Sequence, residues 1–382
     1  MPKSLAGNAL SQVVPKTIKH IIYSKWAFAE RPITQAASAA ALECAPMLKK
    51  IVGAAAAVSL LVSSLSWAEP TTVRIAYQTG DINVLLSYAN GAGLFEKQGI
   101  KAELVPFPAG PAILPALAGG KVDLAWMGEM PAVTGFSNGI PLEVLMMERQ
   151  DDTNIRLSAN PKAGISSIEQ LKGKRVAASV GSSSHHHLLE ALKTAGLTQS
   201  DVILVNLPPA NMPPAYAAGQ IDAAVTWEPA IGLIEEQGAK TLATTRSLGT
   251  ITGGYWIGQQ SFSRQKPEAL QAFLAVWDQA LKDYAKDVAG VRRYEAERTG
   301  QTPEQFDALI ERQSASHPAL ADQLTSKFFG QPGQENDSRL RKHFEGIAQF
   351  LVEQKRIEAV PSDWSGFFNT KPLETYLKAH TP

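Results

Sequence analysis

The stretch Gly120-Lys-Val-Asp123-Leu-Ala-Trp126-Met-Gly-Glu129-Met-Pro131 is echoed later in the chain by Gly219-Gln-Ile-Asp222-Ala-Ala-Val-Thr-Trp227-Glu228-Pro229. The glycine, the aspartate and the glutamate of the first copy each recur 99 residues later. Each copy has the pattern of a glycine that ends a helix, a short buried strand, and an acidic residue just before a proline. A period this long is too large for a solenoid and predicts two lobes of similar build. Two α/β lobes whose matching strand ends face each other would form a clamp around a ligand.

The composition is that of a globular chain without a bulk charge. The 382 residues include 36 basic and 36 acidic side chains. This balance gives no sign of a nucleic-acid partner, which a strongly basic chain would suggest. A hydrophobic content of 45% is enough to pack the cores of two lobes.

The N-terminal region predicts export. Residues 47–50 form a basic start, residues 51–65 an apolar run, and Ser66-Trp67-Ala68 places small residues before a cleavage point. We therefore predict a signal peptide at residues 47–68 that is cleaved after Ala68. The apolar run is short for a membrane-spanning helix, which needs about 20 residues. Because signal peptides stand at the start of a chain, we interpret residues 1–46 as a wrongly assigned upstream extension.

Removing residues 1–68 changes the charge and the cysteine content. It takes away seven basic and two acidic side chains and leaves a net charge of −5. It also removes Cys44, the only cysteine of the chain. A chain without cysteine can fold in an oxidising compartment without any disulfide. Cys44 precedes the apolar run, which does not fit lipoprotein anchoring, so we expect a soluble periplasmic protein.

Strand and helix patterns alternate along the mature chain, which predicts mostly parallel sheets covered by helices on both faces. We place lobe one at residues 69–160 and lobe two at residues 161–248. Residues 249–382 return to lobe one and continue as a helical C-terminal region. The chain is predicted to cross between the lobes near residues 159–163 and 247–253, and these two segments would be the hinge strands.

The candidate site residues follow from one rule. In open parallel sheets, ligands bind beyond the carboxyl ends of the strands. Residues that follow predicted strands, together with an aromatic residue of the returning strand, form this set: Gln78, Thr79, Asp81, Trp126, Glu129, Ser182, Ser183, Ser184, His185, Trp227, Glu228 and Trp256. The tryptophans either pack in the core or wrap the apolar part of a small ligand.

The run Ser182-Ser183-Ser184 opens a predicted helix. Serines at a helix start cap its free N–H groups, and this role alone would explain the run. The same amides and hydroxyls, with the positive end of the helix dipole, also suit a sulfonate, phosphate or carboxylate. The position after the first strand of lobe two favours the anion site.

The adjacent histidines His185-His186-His187 do not predict a metal site. Successive helical residues point about 100° apart, so three neighbours cannot face one ion. Zinc ligands are also usually spread along the sequence. We expect neither a metal nor a cofactor, and we expect His185 to line the cleft.

The carboxylates Glu129 and Glu228 stand at equivalent strand ends and allow three interpretations. They could act as an acid–base pair, as in glycosidases. They could bind a cationic group of a ligand, or cap the following helix. The segment Gly181-Ser-Ser-Ser-His lacks the closing glycine of a nucleophile elbow, so catalysis is the weakest of these interpretations.

Several stretches resemble the solute-binding proteins of ABC importers for taurine, aliphatic sulfonates and nitrate. They run in the family's order along the whole mature chain, at residues 75–79, 93–100, 118–123, 171–176, 205–207, 219–229, 348–354 and 359–361. The resemblance implies a type II periplasmic binding fold, in which two α/β lobes are joined by two hinge strands. It also implies a monomeric receptor, not an enzyme, that delivers its ligand to a membrane permease and its ATPase.

The resemblance also assigns roles to site residues. Ser182, Ser183 and Ser184 match the polar positions that face the anionic group of the ligand. Cleft positions of the taurine branch are matched by Gln78, Thr79, Trp227 and Glu228. Glu129 departs from this branch, which usually has small polar residues there, and a carboxylate at this position would favour a ligand with an amine.

The expected ligand is therefore a small organic anion captured by hinge closure, with taurine or another aliphatic sulfonate first. Nitrate or a pyrimidine-like nitrogen compound on the same scaffold is the alternative. A periplasmic enzyme that uses Glu129 and Glu228 is a further alternative.

Overall fold

The computed structural model describes residues 69–313 and 315–380. The predicted upstream extension, the signal peptide and Cys44 lie outside these residues. The described chain contains ten strands: β1 (Thr71–Gln78), β2 (Ile100–Phe107), β3 (Leu124–Gly128), β4 (Leu142–Asp151), β5 (Arg156–Ala159), β6 (Arg175–Ala178), β7 (Ile203–Asn206), β8 (Ala223–Thr226), β9 (Lys240–Thr244) and β10 (Thr252–Gln259).

Helices fill most of the segments between these strands and much of the C-terminal region. The α-helices of the described chain are α1 (Val84–Gly91), α2 (Leu94–Lys97), α3 (Leu114–Ala118), α4 (Glu129–Ser137), α5 (Ser183–Thr194), α6 (Met212–Ala217), α7 (Ala230–Glu236), α8 (Gln260–Gln265), α9 (Pro267–Lys286), α10 (Val288–Thr299), α11 (Pro303–Glu311), α12 (Arg339–Glu353) and α13 (Lys371–His380).

The strands form two five-stranded sheets of the same topology. The first has the order β2-β1-β3-β10-β4, and the second has the order β7-β6-β8-β5-β9. In each sheet the first three strands are parallel, and the fourth runs antiparallel to both of its neighbours. That fourth strand, β10 or β5, follows a crossing from the other sheet. The prediction of two α/β lobes is confirmed, and in each mixed sheet four of the five strands run in the same direction.

The repeated phrase folds in the same way in both lobes. Gly120 and Gly219 follow the ends of α3 and α6 and have φ angles of 60° and 65°, in the left-handed region that favours glycine. Asp123 accepts hydrogen bonds from the backbone N–H of Arg74 at 2.8 Å and from its Nη2 at 2.7 Å. Asp222 accepts the same two bonds from Arg175, at 2.9 and 2.6 Å. Asp123 therefore ties the start of β3 to β1, and Asp222 ties the start of β8 to β6.

The chain crosses between the sheets at residues 152–155 and again at residues 245–251. The second crossing overlaps the predicted one, but the first lies earlier than residues 159–163. The reason is that residues 156–159 are fully buried as strand β5 of the second sheet, and Asn160-Pro161 begins a turn after it. The two crossings contact each other, because the N–H of Arg246 donates to the carbonyl of Asp152 at 2.7 Å and their side chains form an ion pair.

The C-terminal region packs mainly on the first sheet. Helix α9 buries Phe273 and Trp277 against Trp256 of strand β10, with ring centroids 5.0 Å apart in both pairs. Helix α12 packs beside α4 and buries Phe344 and Ile347. Within the described part of the chain, none of the helices has the length and apolar character needed to span a bilayer.

The carboxylate of Asp123 is expected to stabilise lobe one in a pH-dependent way. Burial raises its pKa, but the hydrogen bonds and charge of Arg74 outweigh burial and the net shift is downward. Its contribution is therefore present above the pKa of an unfolded aspartate, about 3.9, and is lost as the pH falls through the lowered folded pKa. We expect Asp123→Asn to lower the free energy of unfolding by about 1 kcal/mol at pH 7, since the pair is partly exposed.

Urea denaturation at pH 7 and pH 3 measures this difference. Asp307→Asn is the control, because Asp307 forms a more exposed ion pair with Arg292 and should change stability little. An Asp123→Asn variant as stable as the parent at pH 7 would contradict the anchoring role.

Candidate functional site

A cleft with an empty volume of about 390 Å³ lies between the two sheets. Lobe one and its returning strand contribute Gln78, Asp81, Gly110, Trp126, Gly128, Pro131, Arg149, Asp151, Thr252 and Gly253. The first crossing and lobe two contribute Asn154, Ile155, Ser182, Ser183 and Trp227. The cleft therefore brings together six predicted site residues: Gln78, Asp81, Trp126, Ser182, Ser183 and Trp227.

The serine run begins helix α5 at the edge of this cleft. Ser182 is the N-cap, and its hydroxyl donates to the carbonyl of Ser179 at 2.7 Å. The hydroxyls of Ser182 and Ser184 lie 2.9 Å apart, and Ser184 is fully buried behind the cleft wall. Within the described residues, no acceptor is found for the backbone N–H groups of Ser183 and Ser184. These two amides, at the positive end of a twelve-residue helix, can receive a negatively charged group.

Glu129 lies beneath the cleft floor and is fully buried. It begins helix α4, and its carboxylate accepts hydrogen bonds from the Ser183 side chain. It also accepts from the Thr252 hydroxyl and from the N–H of Gly253, both at 3.4 Å. Burial raises the pKa of Glu129 to about 7, although these hydrogen bonds oppose the shift. Glu129 therefore joins lobe one, the returning strand and the helix start of lobe two without lining the cleft itself.

Glu228 occupies the equivalent position in lobe two but has different neighbours. It is fully buried, it pairs with Arg156 of strand β5, and it lies 3.5 Å from Nε of Arg312. Its backbone N–H donates to Oδ1 of Asn154 at 3.0 Å. Glu228 does not line the cleft, because its side chain is committed to these arginines.

Arg149 is one of several cleft residues, Asp151 and Asn154 among them, that were not predicted from the sequence. Its guanidinium is almost fully buried and donates to Oδ1 of Asp81 at 3.0 Å and to the carbonyl of Ile82 at 2.9 Å. Its Nε lies 3.3 Å from a carboxylate oxygen of Asp151, and its Cζ lies 5.1 Å from the ring centroid of Trp126. A possible signal was the charged segment 148–151, which ends the apolar run of strand β4 next to the crossing.

The two cleft tryptophans are held in different ways. The indole N–H of Trp126 donates to Glu148 at 3.0 Å, and Glu148 pairs with His317. The indole N–H of Trp227, in lobe two, donates to the carbonyl of Gly80 in lobe one at 2.8 Å. Trp227 thus links the two lobes directly across the mouth of the cleft.

Trp256 is not brought to the cleft. It is fully buried against Phe273 and Trp277 on the helix α9 side of the first sheet. Successive side chains of a strand point to opposite faces, and the face that Trp256 occupies on β10 is the one covered by this helix. The residue therefore belongs to the core of lobe one.

Thr79 and His185 also lie away from the cleft wall. Thr79 is exposed, and its hydroxyl donates to the carbonyl of Phe107 at 3.2 Å. His185 is buried with its Nε2 2.8 Å from Oε1 of Gln199, while Nδ1 of His187 lies 2.8 Å from the carbonyl of Ser183. Across the described residues, no group of three or more His, Cys, Asp or Glu side chains is placed to hold a metal ion.

Two α/β lobes of equal topology with a cleft between them form the fold of the periplasmic binding proteins. A family model described as NMT1/THI5 like matches residues 84–288, and the chain belongs to this family. A taurine-binding periplasmic protein of Escherichia coli is 27% identical over 80% of this chain and 93% of its own length.

Solved structures agree with this class. The alkanesulfonate-binding protein SsuA from Xanthomonas axonopodis pv. citri, bound to MOPS, is 26% identical with a TM-score of 0.61, and the match covers 77% of this chain and 96% of that one. The periplasmic aliphatic sulphonate-binding protein SsuA from Escherichia coli shares the fold at 23% identity with a TM-score of 0.58, over 76% of this chain and 90% of its own.

The Trp227–Gly80 hydrogen bond is expected to hold the first loop of lobe one against lobe two. Trp227→Phe removes the donor and should weaken this contact by about 1 kcal/mol. Amides of residues 79–83 should then exchange with solvent about fivefold faster, because a contact of that size changes local opening by about this factor. Hydrogen exchange read by mass spectrometry on the parent and the variant measures the effect.

Trp277→Phe provides the matched control. Trp277 lies in the core of lobe one, and no acceptor for its indole N–H is found in the described chain. An unchanged exchange rate at residues 79–83 in Trp227→Phe would show that the indole hydrogen bond does not hold the lobes together.

Proposed function

We propose that this protein is the solute receptor of an ABC importer for a small organic sulfonate, with taurine as the first candidate. The observation that carries the proposal is the start of helix α5, where Ser182 and Ser183 line an enclosed cleft and two backbone N–H groups point to no acceptor in the described chain. The names of the relatives, which bind taurine and alkanesulfonates, support the same ligand class.

A sulfonate suits this helix start for electrostatic reasons. It keeps its negative charge throughout the physiological pH range, and its three oxygens can accept several hydrogen bonds at once. The backbone amides of Ser183 and Ser184 supply two such donors, and the Ser183 hydroxyl supplies a third if it turns from Glu129 to the ligand. The helix dipole adds a favourable field. Most residues of the cleft wall are buried, so these interactions act where water screens them less than at a surface.

In this proposal the protein is exported by the signal peptide at residues 47–68 and acts as a monomer. The lobes close on the ligand by bending at residues 152–155 and 245–251, the two crossings between the sheets. The closed receptor then delivers its ligand to a membrane permease that is powered by an ATPase, and it contacts the membrane only through that permease.

The enzymatic alternative receives no support from the positions of Glu129 and Glu228. A catalytic pair must reach the reacting atoms of a bound substrate. Neither carboxylate lines the cleft, and Glu228 is held by Arg156 and Arg312. We therefore propose a receptor without catalytic activity.

A thermal-shift panel tests the ligand class. Ligand at 100 times its dissociation constant stabilises the folded protein by about 2.7 kcal/mol, which gives a measurable rise in Tm. Taurine and alkanesulfonates should raise Tm, whereas nitrate and pyrimidine compounds should not. A rise with nitrate or a pyrimidine alone would replace the sulfonate by that ligand on the same scaffold.

Ser183 is expected to contribute directly to anion binding. Ser183→Ala removes a hydroxyl at the cleft wall that here donates to Glu129 and that we expect to turn to the bound sulfonate. A hydrogen bond to a charged group contributes about 1.5–3 kcal/mol. The affinity for taurine, measured by isothermal titration calorimetry, should fall about tenfold or more. Ser200→Ala, at an exposed serine outside the cleft, is the control and should bind like the parent. Equal affinities of all three proteins would remove Ser183 from the anion site.

A further inference from the structure

We propose that Asp151 forms an ammonium-binding subsite in the cleft, so that the receptor selects aminosulfonates over sulfonates without an amine. This inference rests on the sulfonate function proposed above and adds which part of the ligand decides its selection. It replaces Glu129 and Glu228 as the residues expected to meet an amine, since neither lines the cleft.

The first observation is an unsatisfied carboxylate oxygen. Asp151 is the last residue of strand β4, lines the cleft and is 3% exposed. No hydrogen-bond partner for its Oδ1 is found among the described residues. An unpaired buried acceptor of this kind is costly, and a ligand N–H donor would satisfy it.

The second observation is the charge balance of the cleft wall. Arg149 is the single cationic side chain among the lining residues, whereas Asp81 and Asp151 are both carboxylates. The two terminal nitrogens of Arg149 are committed to Asp81 and to the carbonyl of Ile82. One guanidinium therefore faces two carboxylates, and a cationic ligand group would balance the remaining charge.

Asp81 is a weaker candidate for the same role. Its Oδ1 already accepts from the N–H of Ile82 at 2.7 Å and from Arg149 at 3.0 Å. The contacts of Asp151 are looser. Nε of Arg149 lies 3.3 Å from its Oδ2, and the amide groups of Asn154 lie nearby. Of the two carboxylates, Asp151 is therefore the one assigned to the ammonium group of the ligand.

The ammonium subsite and the anion site lie along one line of contacts. Asp151 pairs with Thr252 across strands β4 and β10, and Thr252 donates to Glu129. Glu129 in turn accepts from Ser183 at the start of helix α5. The cleft thus has a carboxylate at one end of this line and a helix N-terminus at the other. A zwitterion with an ammonium and a sulfonate group carries the two charges that suit these two ends.

The carboxylate is available in its charged form at neutral pH. Burial raises the pKa of Asp151 to about 6, while the charge of Arg149 and the nearby amide groups of Asn154 limit the rise. Above that pH the ionised form predominates and can pair with an ammonium group.

Calorimetric titration at pH 7.5 with three ligands tests the subsite. Taurine carries the ammonium, propane-1-sulfonate replaces it by a methyl group of similar size, and 2-hydroxyethanesulfonate replaces it by a neutral hydroxyl. The parent protein should bind taurine at least tenfold more tightly than either analogue. In Asp151→Asn the affinity for taurine should fall at least tenfold, while that for propane-1-sulfonate should change less than threefold.

Glu143→Gln is the matched control, because Glu143 is also a buried carboxylate but lies outside the cleft. It should keep the preference of the parent for taurine. Equal affinity of the parent for taurine and propane-1-sulfonate would overturn the subsite and leave the sulfonate receptor intact. An equal loss of affinity for both ligands in Asp151→Asn would also overturn the subsite, because it would indicate a structural role for Asp151.

Failure of the variant to fold does not remove the test, because the three-ligand comparison on the parent protein alone decides whether the amine is recognised. If none of the sulfonates bound to the protein, this result would contradict the proposed function itself. The two failures are therefore distinguishable by whether propane-1-sulfonate binds.

Discussion

The architecture of the cleft depends on one buried guanidinium. Arg149 lies near the end of strand β4, shortly before the chain leaves lobe one, and its charge is enclosed by Asp81, Asp151 and the face of Trp126. Burying an arginine is unfavourable unless carboxylates and carbonyls surround it, so its neighbours must keep their positions. Through Asp81 and the carbonyl of Ile82 it fixes the loop after β1. The first crossing begins immediately after Asp151, so the same charge cluster anchors one end of the connection between the lobes.

The shared topology of the sheets explains why the cleft and the crossings adjoin. In each sheet the antiparallel fourth strand follows a crossing from the other lobe, and it pairs with the third strand, which carries the repeated phrase. The residues that end β3 and β8 therefore lie beside residues that have just left a crossing. Thr252 and Gly253 approach Glu129 in this way, and Asn154 approaches Glu228. A change in the angle between the lobes must act on these contacts first.

Three sequence features were sufficient to predict two α/β lobes and to identify six residues of one cleft. These features are the duplicated phrase, the rule that ligands bind at strand ends, and the serine run. The tethering of Asp123 and Asp222 by arginines was not predicted, because those arginines lie far away in the sequence. Arg149 and Asp151 were missed because charges after an apolar strand usually indicate only its exposed end. Trp256 was misplaced because alternation does not say which face of β10 meets the cleft. The first crossing was predicted too far along the chain, because residues 156–159 contain too few apolar side chains to indicate a strand.

The two copies of the phrase differ where it matters for a ligand. Beside Glu228 the neighbouring strand supplies Arg156, and the ion pair fills the space between strand and helix. Beside Glu129 the neighbouring strand supplies Gly253 and Gly254, and Gly254 pairs with Gly128. A β-carbon on Gly128 would lie 2.5 Å from the hydroxyl of Ser183, so a larger residue there would displace this hydroxyl from its present position. At this position lobe two holds the ion pair between Arg156 and Glu228, whereas lobe one has glycines and leaves space. The cleft therefore extends into lobe one because the duplicated halves differ in these few side chains.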